Sequence, residues 1–145
     1  MRGAVALAAA LLLSGASFGA AKEQKDEPGK GKRPKLDLRA NPRMAFSPVN
    51  VFFTAEFMGG DDLEEYHCPE IEWDWDDEGK SVQESDCDPW TEGTKIERRF
   101  SNDHDYRKAG TYNVKATFRR SGRTLAQATV RVTVRAGLGD NTIED

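Results

Sequence analysis

Gly110-Thr111-Tyr112-Asn113-Val114-Lys115-Ala116-Thr117-Phe118-Arg119 alternates in polarity, and so does Ala126-Gln127-Ala128-Thr129-Val130-Arg131-Val132-Thr133-Val134 shortly after it. A period of two places Tyr112, Val114, Ala116 and Phe118 on one face of an extended chain and Asn113, Lys115, Thr117 and Arg119 on the other. The second run divides in the same way, with Ala126, Ala128, Val130, Val132 and Val134 opposite Gln127, Thr129, Arg131 and Thr133. Between them stands Arg120-Ser121-Gly122-Arg123, where Gly122 can take a positive φ. Two half-buried strands around such a turn make a β-hairpin.

The same rhythm appears upstream. Val49, Val51, Phe53, Ala55 and Phe57 share a face, while Asn50, Thr54 and Glu56 share the other. Shorter candidates lie at residues 36–40, 44–46, 70–76 and 95–100, and no window of useful length carries a helical repeat. Six or seven short strands punctuated by Gly, Pro and Asp predict an all-β fold, an Ig-like antiparallel β-sandwich of about seven strands. An up-and-down barrel would need more strands.

The 145-residue chain opens with Arg2, an apolar run over residues 5–13 and small residues from Ser17 to Ala21. That is the pattern of a signal peptide over residues 1–21, too short in its apolar part for the ~20 residues that cross a bilayer. A secreted protein without membrane insertion is expected. Residues 22–35 are rich in Lys and Glu, with Pro28-Gly29 and Pro34, and read as a flexible charged linker. The folded domain is expected over 36–136, and a frayed tail over 137–145.

The formal net charge is −4, and removal of the leader with Arg2 leaves 20 cations against 25 acids, −5. A nucleic-acid binder working through phosphate contacts needs the opposite balance. The charge is also uneven. Residues 61–88 hold thirteen carboxylates and one cation, Lys80, whereas eleven cations face seven acids from Pro89 onward.

In an oxidising compartment Cys68 and Cys87 most simply form one disulfide. They stand too close in sequence to join two sheets across a core, so the bridge is expected to pin the long acidic loop onto the strand of Trp73. Closing a loop of this size stabilises a fold by about 3 kcal/mol in the chain-entropy model.

Two stretches resemble the PKD (polycystic kidney disease) domains. Ile71-Glu72-Trp73-Asp74-Trp75-Asp76-Asp77-Glu78-Gly79 resembles that family's Trp-x-Phe-Gly-Asp-Gly segment, with Trp75 in the aromatic and Asp77 in the aspartate position. His104-Asp105-Tyr106, followed by Gly110, Tyr112 and Val114, is similar to its His-x-Tyr-x-x-x-Gly-x-Tyr-x-Val pattern at every defined position. Asp76 and Glu78 stand where the family usually has glycine, and the stretches 58–67 and 81–94 are longer than its pattern. The resemblance implies a PKD-like sandwich and a role in interaction rather than catalysis.

Read by themselves, the motif residues are structural. Tyr106 precedes a tight corner at Gly110, where a buried ring can send its hydroxyl to backbone across the corner. Trp73 and Trp75 alternate with Asp74, so both rings face the core. His104 reads as a packed or turn-capping residue. Trp90, between Pro89 and Thr91, shows no inward partner and is, with Phe52, a candidate binding anchor for a protein or polysaccharide.

The acidic zone is the remaining place for chemistry. Asp74, Asp76, Asp77 and Glu78 approach the spacing of a calcium loop, but Ser85 stands where the bidentate Glu belongs. Resemblance adds that some PKD domains bind calcium through loop carboxylates, one of them aligned with Asp77. Calcium is accordingly expected somewhere among Asp61, Asp62, Asp76, Asp77, Asp86 and Asp88, with Asp76, Asp77, Asp86 and Asp88 the foremost candidate ligands. Without such a site, no cofactor is expected. Crowded acids offer no sugar-sized cleft for glycoside hydrolysis, and no serine stands in a nucleophile setting with either histidine. The sequence therefore predicts a monomeric, secreted, non-catalytic binding module, with a calcium-stabilised structural module as the alternative.

Overall fold

Apolar alternation becomes eight strands in the computed structural model, which describes residues 32–61 and 64–138. They are β1 (Lys35–Asn41), β2 (Met44–Phe46), β3 (Val49–Met58), β4 (Glu70–Asp74), β5 (Lys80–Gln83), β6 (Arg99–Tyr106), β7 (Gly110–Arg120) and β8 (Arg123–Arg135), with a 3₁₀ turn at Glu64–Tyr66. One sheet has the order β1-β3-β6 and the other β2-β8-β7-β4-β5. The signal peptide, most of the linker, Asp62 and residues 139–145 lie outside the described residues.

All pairings are antiparallel except β2 with β8, which is parallel. The extra strand relative to a seven-stranded reading is β5, inside the supposed acidic insertion. Its Lys80 and Val82 lie outside and Ser81 and Gln83 are half-buried, so no apolar rhythm marked it. The candidate at 95–100 is also displaced. β6 starts only at Arg99 and runs to Tyr106, because Asn102 and His104 occupy inward positions between buried Phe100 and Tyr106. The 70–76 candidate stops at Asp74, where the chain turns.

The β7–β8 turn is as expected in kind and tighter in detail. Ser121 and Gly122 both have positive φ, 51° and 76°, which is the two-residue I′ geometry that matches strand twist. Arg120 pairs with Arg123 across it. Backbone on both sides of the predicted domain, at Lys32 and Gly137, is docked onto it. The Lys32 carbonyl accepts from Asp61 N–H at 3.0 Å, and Gly137 N–H donates to Ser47 Oγ at 3.1 Å.

Both inner faces meet in one core containing Val51, Phe53, Phe57, Ile71, Trp73, Phe118 and Val132. At one end the packing becomes a column of rings. Trp73 stacks on Trp75 with centroids 5.4 Å apart and planes 6° apart, and Trp75 stacks on His104 at 4.6 Å and 3°. Tyr106 meets His104 edge-on at 4.9 Å and lies 4.2 Å from Tyr112. The buried Tyr106 hydroxyl donates to the Trp75 carbonyl at 3.0 Å, joining β6 to the end of β4. Burial, with the nearby Asp77, Tyr112 and Asp76, pushes the Tyr106 pKa well above the ordinary tyrosine range.

Asp76 and Glu78 keep the β4–β5 turn without glycine. Both sit in the left-handed region, φ 62° and 71°, a conformation that costs a non-glycine residue roughly 1–2 kcal/mol. Side-chain bonds offset it. Asp76 Oδ2 accepts from Asn113 N–H at 2.7 Å, Asp77 Oδ1 accepts from Gly79 N–H at 3.0 Å, and His104 Nε2 donates to Asp77 Oδ2 at 2.7 Å. The turn is thus fastened to β7 by one aspartate and to β6 by the next.

Tyr106→Phe should cost about 1–2 kcal/mol by leaving the buried Trp75 carbonyl unpaired. Because the folded pKa is raised, Tyr106 stabilises the wild type fully below the unfolded value of about 10 and progressively less above it. Thermal melts from pH 7 to 11 should show a steeper alkaline loss in the wild type than in Tyr106→Phe; parallel curves would contradict the assignment.

Candidate functional site: the disulfide-tied loop end

Three connections gather at the end of the sandwich opposite the Asp76 turn: residues 59–69, residues 84–98 and the β7–β8 turn. Strand geometry alone does not fix them, so polar side chains do. Arg98 Nη1 donates to the carbonyls of Gly59 at 2.8 Å and Phe57 at 3.4 Å, and Phe57 N–H donates to the Arg98 carbonyl at 2.8 Å. Arg120 Nη1 donates to the Glu64 carbonyl at 2.6 Å, and Arg123 pairs with Glu65. Beneath the 3₁₀ turn, the buried Tyr66 ring meets Phe57 edge-on at 5.0 Å.

The disulfide forms as predicted. Cys68 and Cys87, with Cα atoms 5.9 Å apart, join the chain just before β4 to the chain just after β5. The bridge closes the open end of the β4–β5 hairpin rather than crossing the core. Their sequence neighbours add a parallel tie, since His67 Nε2 donates to the Asp88 carbonyl at 2.8 Å. The same imidazole lies against the Trp90 ring, with centroids 5.5 Å apart and planes tilted by 59°. Trp90 therefore has the partner that sequence reading missed, and it is half-buried rather than freely exposed.

Two clefts flank the 89–91 segment. One, of about 530 Å³, is lined by Trp90, Asp61, Glu64, Lys95, Ile96 and Arg98 among others. The second, of about 420 Å³, has both cysteines, Asp86, Asp88, Glu97 and Phe100 in its wall. Thr94 and Lys95 are common to both, and Thr94 is held by a small turn, Thr94 N–H to the Thr91 carbonyl and Thr91 N–H to Thr94 Oγ1, each at 3.0 Å.

Phe52 does not belong to this surface. It is 48% exposed, on the outer face of the three-stranded sheet opposite Asp103 and Asn41. Met58 ends β3 on the loop side, six residues on, roughly 20 Å at ~3.3 Å per residue. The two expected anchors are thus separate features.

The candidate calcium ligands are separated as well. Asp76 and Asp77 occupy the closed end of the β4–β5 hairpin, and Asp86 and Asp88 lie beyond its open end. Four residues of β5 and its flanks keep the pairs apart, and the Asp76 and Asp77 carboxylates already hold backbone groups and His104. Among the described residues, no three His, Cys, Asp or Glu side chains are grouped to hold a metal ion. Likewise, no helix among them is long and apolar enough to cross a membrane.

Glu64, Lys95, Ile96 and Arg98 carry no sequence signal as site residues, and Asp61 was expected only in a calcium site. Their only common signal is proximity to Cys68, Cys87 or Trp90 along the chain, and no periodicity marks them.

Two sheets with inner faces packed on a shared core, closed at one end by a tyrosine corner, define a β-sandwich of Ig-like architecture. Its fold is similar to that of a solved PKD domain. The PKD domain of an M14-like peptidase from Thermoplasmatales archaeon SCGC AB-540-F20 superposes with a TM-score of 0.50 over 72% of this chain and 97% of that one, at 16% identity. The fold expected from the His104 and Trp73 motifs is the fold observed. No family model and no curated protein matches the sequence.

Replacing both cysteines, Cys68→Ser with Cys87→Ser, should lower stability by about 3 kcal/mol while leaving the strand signal in circular dichroism intact at room temperature. Trp90 emission should shift to the red, because its His67 support loosens. Asp76→Ala should cost about 1–2 kcal/mol through its lost backbone bond, by the same amount in EDTA and in millimolar Ca²⁺. A cost that appears only with Ca²⁺ would restore Asp76 as a ligand.

Proposed function

We propose that this chain is a non-catalytic recognition module, exported from the cytoplasm, which docks a protein or polysaccharide through its loop end. The observation that carries this reading is Trp90, a half-buried aromatic backed by His67 and set between two clefts on disulfide-tied loops. Loops presented by a rigid sandwich are a common place for binding, and ties that hold them before contact reduce the entropy lost on association.

Catalysis has little support. The chain has two histidines, His67 tied to the Asp88 carbonyl and His104 held between Trp75 and Asp77, and both cysteines are joined. A thiol nucleophile or an imidazole base would need one of these groups free beside a substrate.

A monomer is favoured by β6, one of the two edges of the three-stranded sheet. Alternate backbone groups of β6 face away from β3, and the Asp103 N–H is capped by Asn102 Oδ1 at 2.9 Å. Arg99, Asp103 and Asp105 add charge along that strand, which discourages pairing with another chain. Export is supported by the leader pattern and by a disulfide, which persists in oxidising compartments.

The test is a comparison of variants on peptide and glycan arrays. Purified wild-type chain should be retained by a discrete set of ligands. Trp90→Ala should lose at least tenfold of that signal, and Phe52→Ala should keep it. Equal retention by both variants would move the recognition surface away from the loop end.

A further inference from the structure

We propose that the paired clefts beside Trp90 take a cationic peptide, an extended partner segment that places one Arg or Lys over the Trp90 indole and another among the acidic residues of the second cleft. This rests on the reading of the loop end as the recognition surface, and it names the partner's chemistry.

Charge and its use inside the fold carry the argument. Asp61, Glu64, Asp86, Asp88 and Glu97 line the two clefts, with the cations Lys95 and Arg98. Arg98 is anchored by the Gly59 and Phe57 carbonyls and keeps its charge, so the two clefts together carry five acids against two cations, a local balance of −3. Ion pairs join Glu72 with Lys80 and Arg119, Asp74 with Lys80, Glu56 with Arg99, and Glu65 with Arg123. Among the described residues, none of the five cleft carboxylates takes part in a salt bridge. Like charges held together on tied loops raise the free energy of the unbound state, and a cationic ligand relieves that repulsion as it binds.

Trp90 supplies the second element. Indole is the strongest aromatic platform for a guanidinium or ammonium group, worth about 0.5–2 kcal/mol depending on desolvation. One flank of its ring lies against His67, and another borders the larger cleft. The clefts lie to either side of residues 89–91, so an extended peptide can cross that segment with side chains in both. An anionic polymer would meet net repulsion here, and a neutral saccharide would leave the carboxylates without counter-charge.

The test uses Trp fluorescence of the purified chain. Trp73 and Trp75 are buried, 0% and 3% exposed, so a ligand-induced change reports Trp90. Titration with penta-arginine amide at low salt should give a saturable change. Its affinity should fall several-fold when ionic strength rises from about 0.05 to 0.2 M, because screening shortens the reach of exposed charges. Asp86→Asn with Asp88→Asn should weaken binding at least tenfold, and so should Trp90→Ala followed by calorimetry. Glu70→Gln, on the outer face of the five-stranded sheet, should leave it unchanged. Equal weakening by Glu70→Gln would indicate diffuse attraction and overturn the proposal, as would undiminished binding by the double Asn variant. If a neutral glucose hexasaccharide or polyglutamate gives the saturable change and penta-arginine does not, the cationic assignment falls and loop-end recognition stands. If none of the three binds, the cationic assignment also falls, and the array comparison decides the recognition surface independently.

Discussion

The contact on which the architecture turns is the hydrogen bond from the Tyr106 hydroxyl to the Trp75 carbonyl. It connects the last residue of β6, in one sheet, to the residue after β4, in the other. That carbonyl lies beyond the β4 ladder, in a buried setting where an unpaired oxygen is costly. Once the bond is made, the Trp75 ring is fixed between Trp73 and His104, and the following turn begins in a defined direction. Asp76 and Asp77 then fasten the turn to β7 and β6. A single corner therefore sets how the sheets face each other and also uses up the polar groups at that end.

The parts of this fold that sequence made legible are those where apolar alternation and sheet exposure agree. β3, β7 and β8 have one wet face and one dry face along most of their length, so their inward residues follow directly from period two. β5 and the middle of β6 break that agreement. Gln83 faces inward to accept from Trp73 Nε1 at 3.4 Å, and His104 faces inward to stack on Trp75. A polar side chain in an inward position looks like a loop residue until its partner is known. The PKD-type motif located His104 and Tyr106 where alternation did not, because spacing around a tight corner is set by geometry even when polarity is mixed.

The loop end was less legible for a related reason. Cysteine count and compartment predicted the bridge, and the bridge predicted which loops would be tied. Nothing in a linear reading indicated that His67 would turn toward Asp88 and support Trp90, since those residues lie more than twenty positions apart and obey no period. Acid content was visible, but its division was not. Lumping residues 61–88 into one acidic zone suggested a shared ion, whereas the β4–β5 hairpin carries that zone to two ends of the molecule and gives its halves different work.

That division is the reason the proposed recognition surface lies at one end only. At the Asp76 end, carboxylates accept from Asn113 N–H, Gly79 N–H and His104, so replacing those bonds with a ligand would dismantle the turn that orients the core. At the Cys68 end, loop position is held by the disulfide, by Arg98 and Arg120 on backbone carbonyls, and by the His67 tie. The cleft carboxylates there are left out of the structural bonding. A ligand can engage them, and Trp90, without competing against any interaction that the sandwich needs to stay folded.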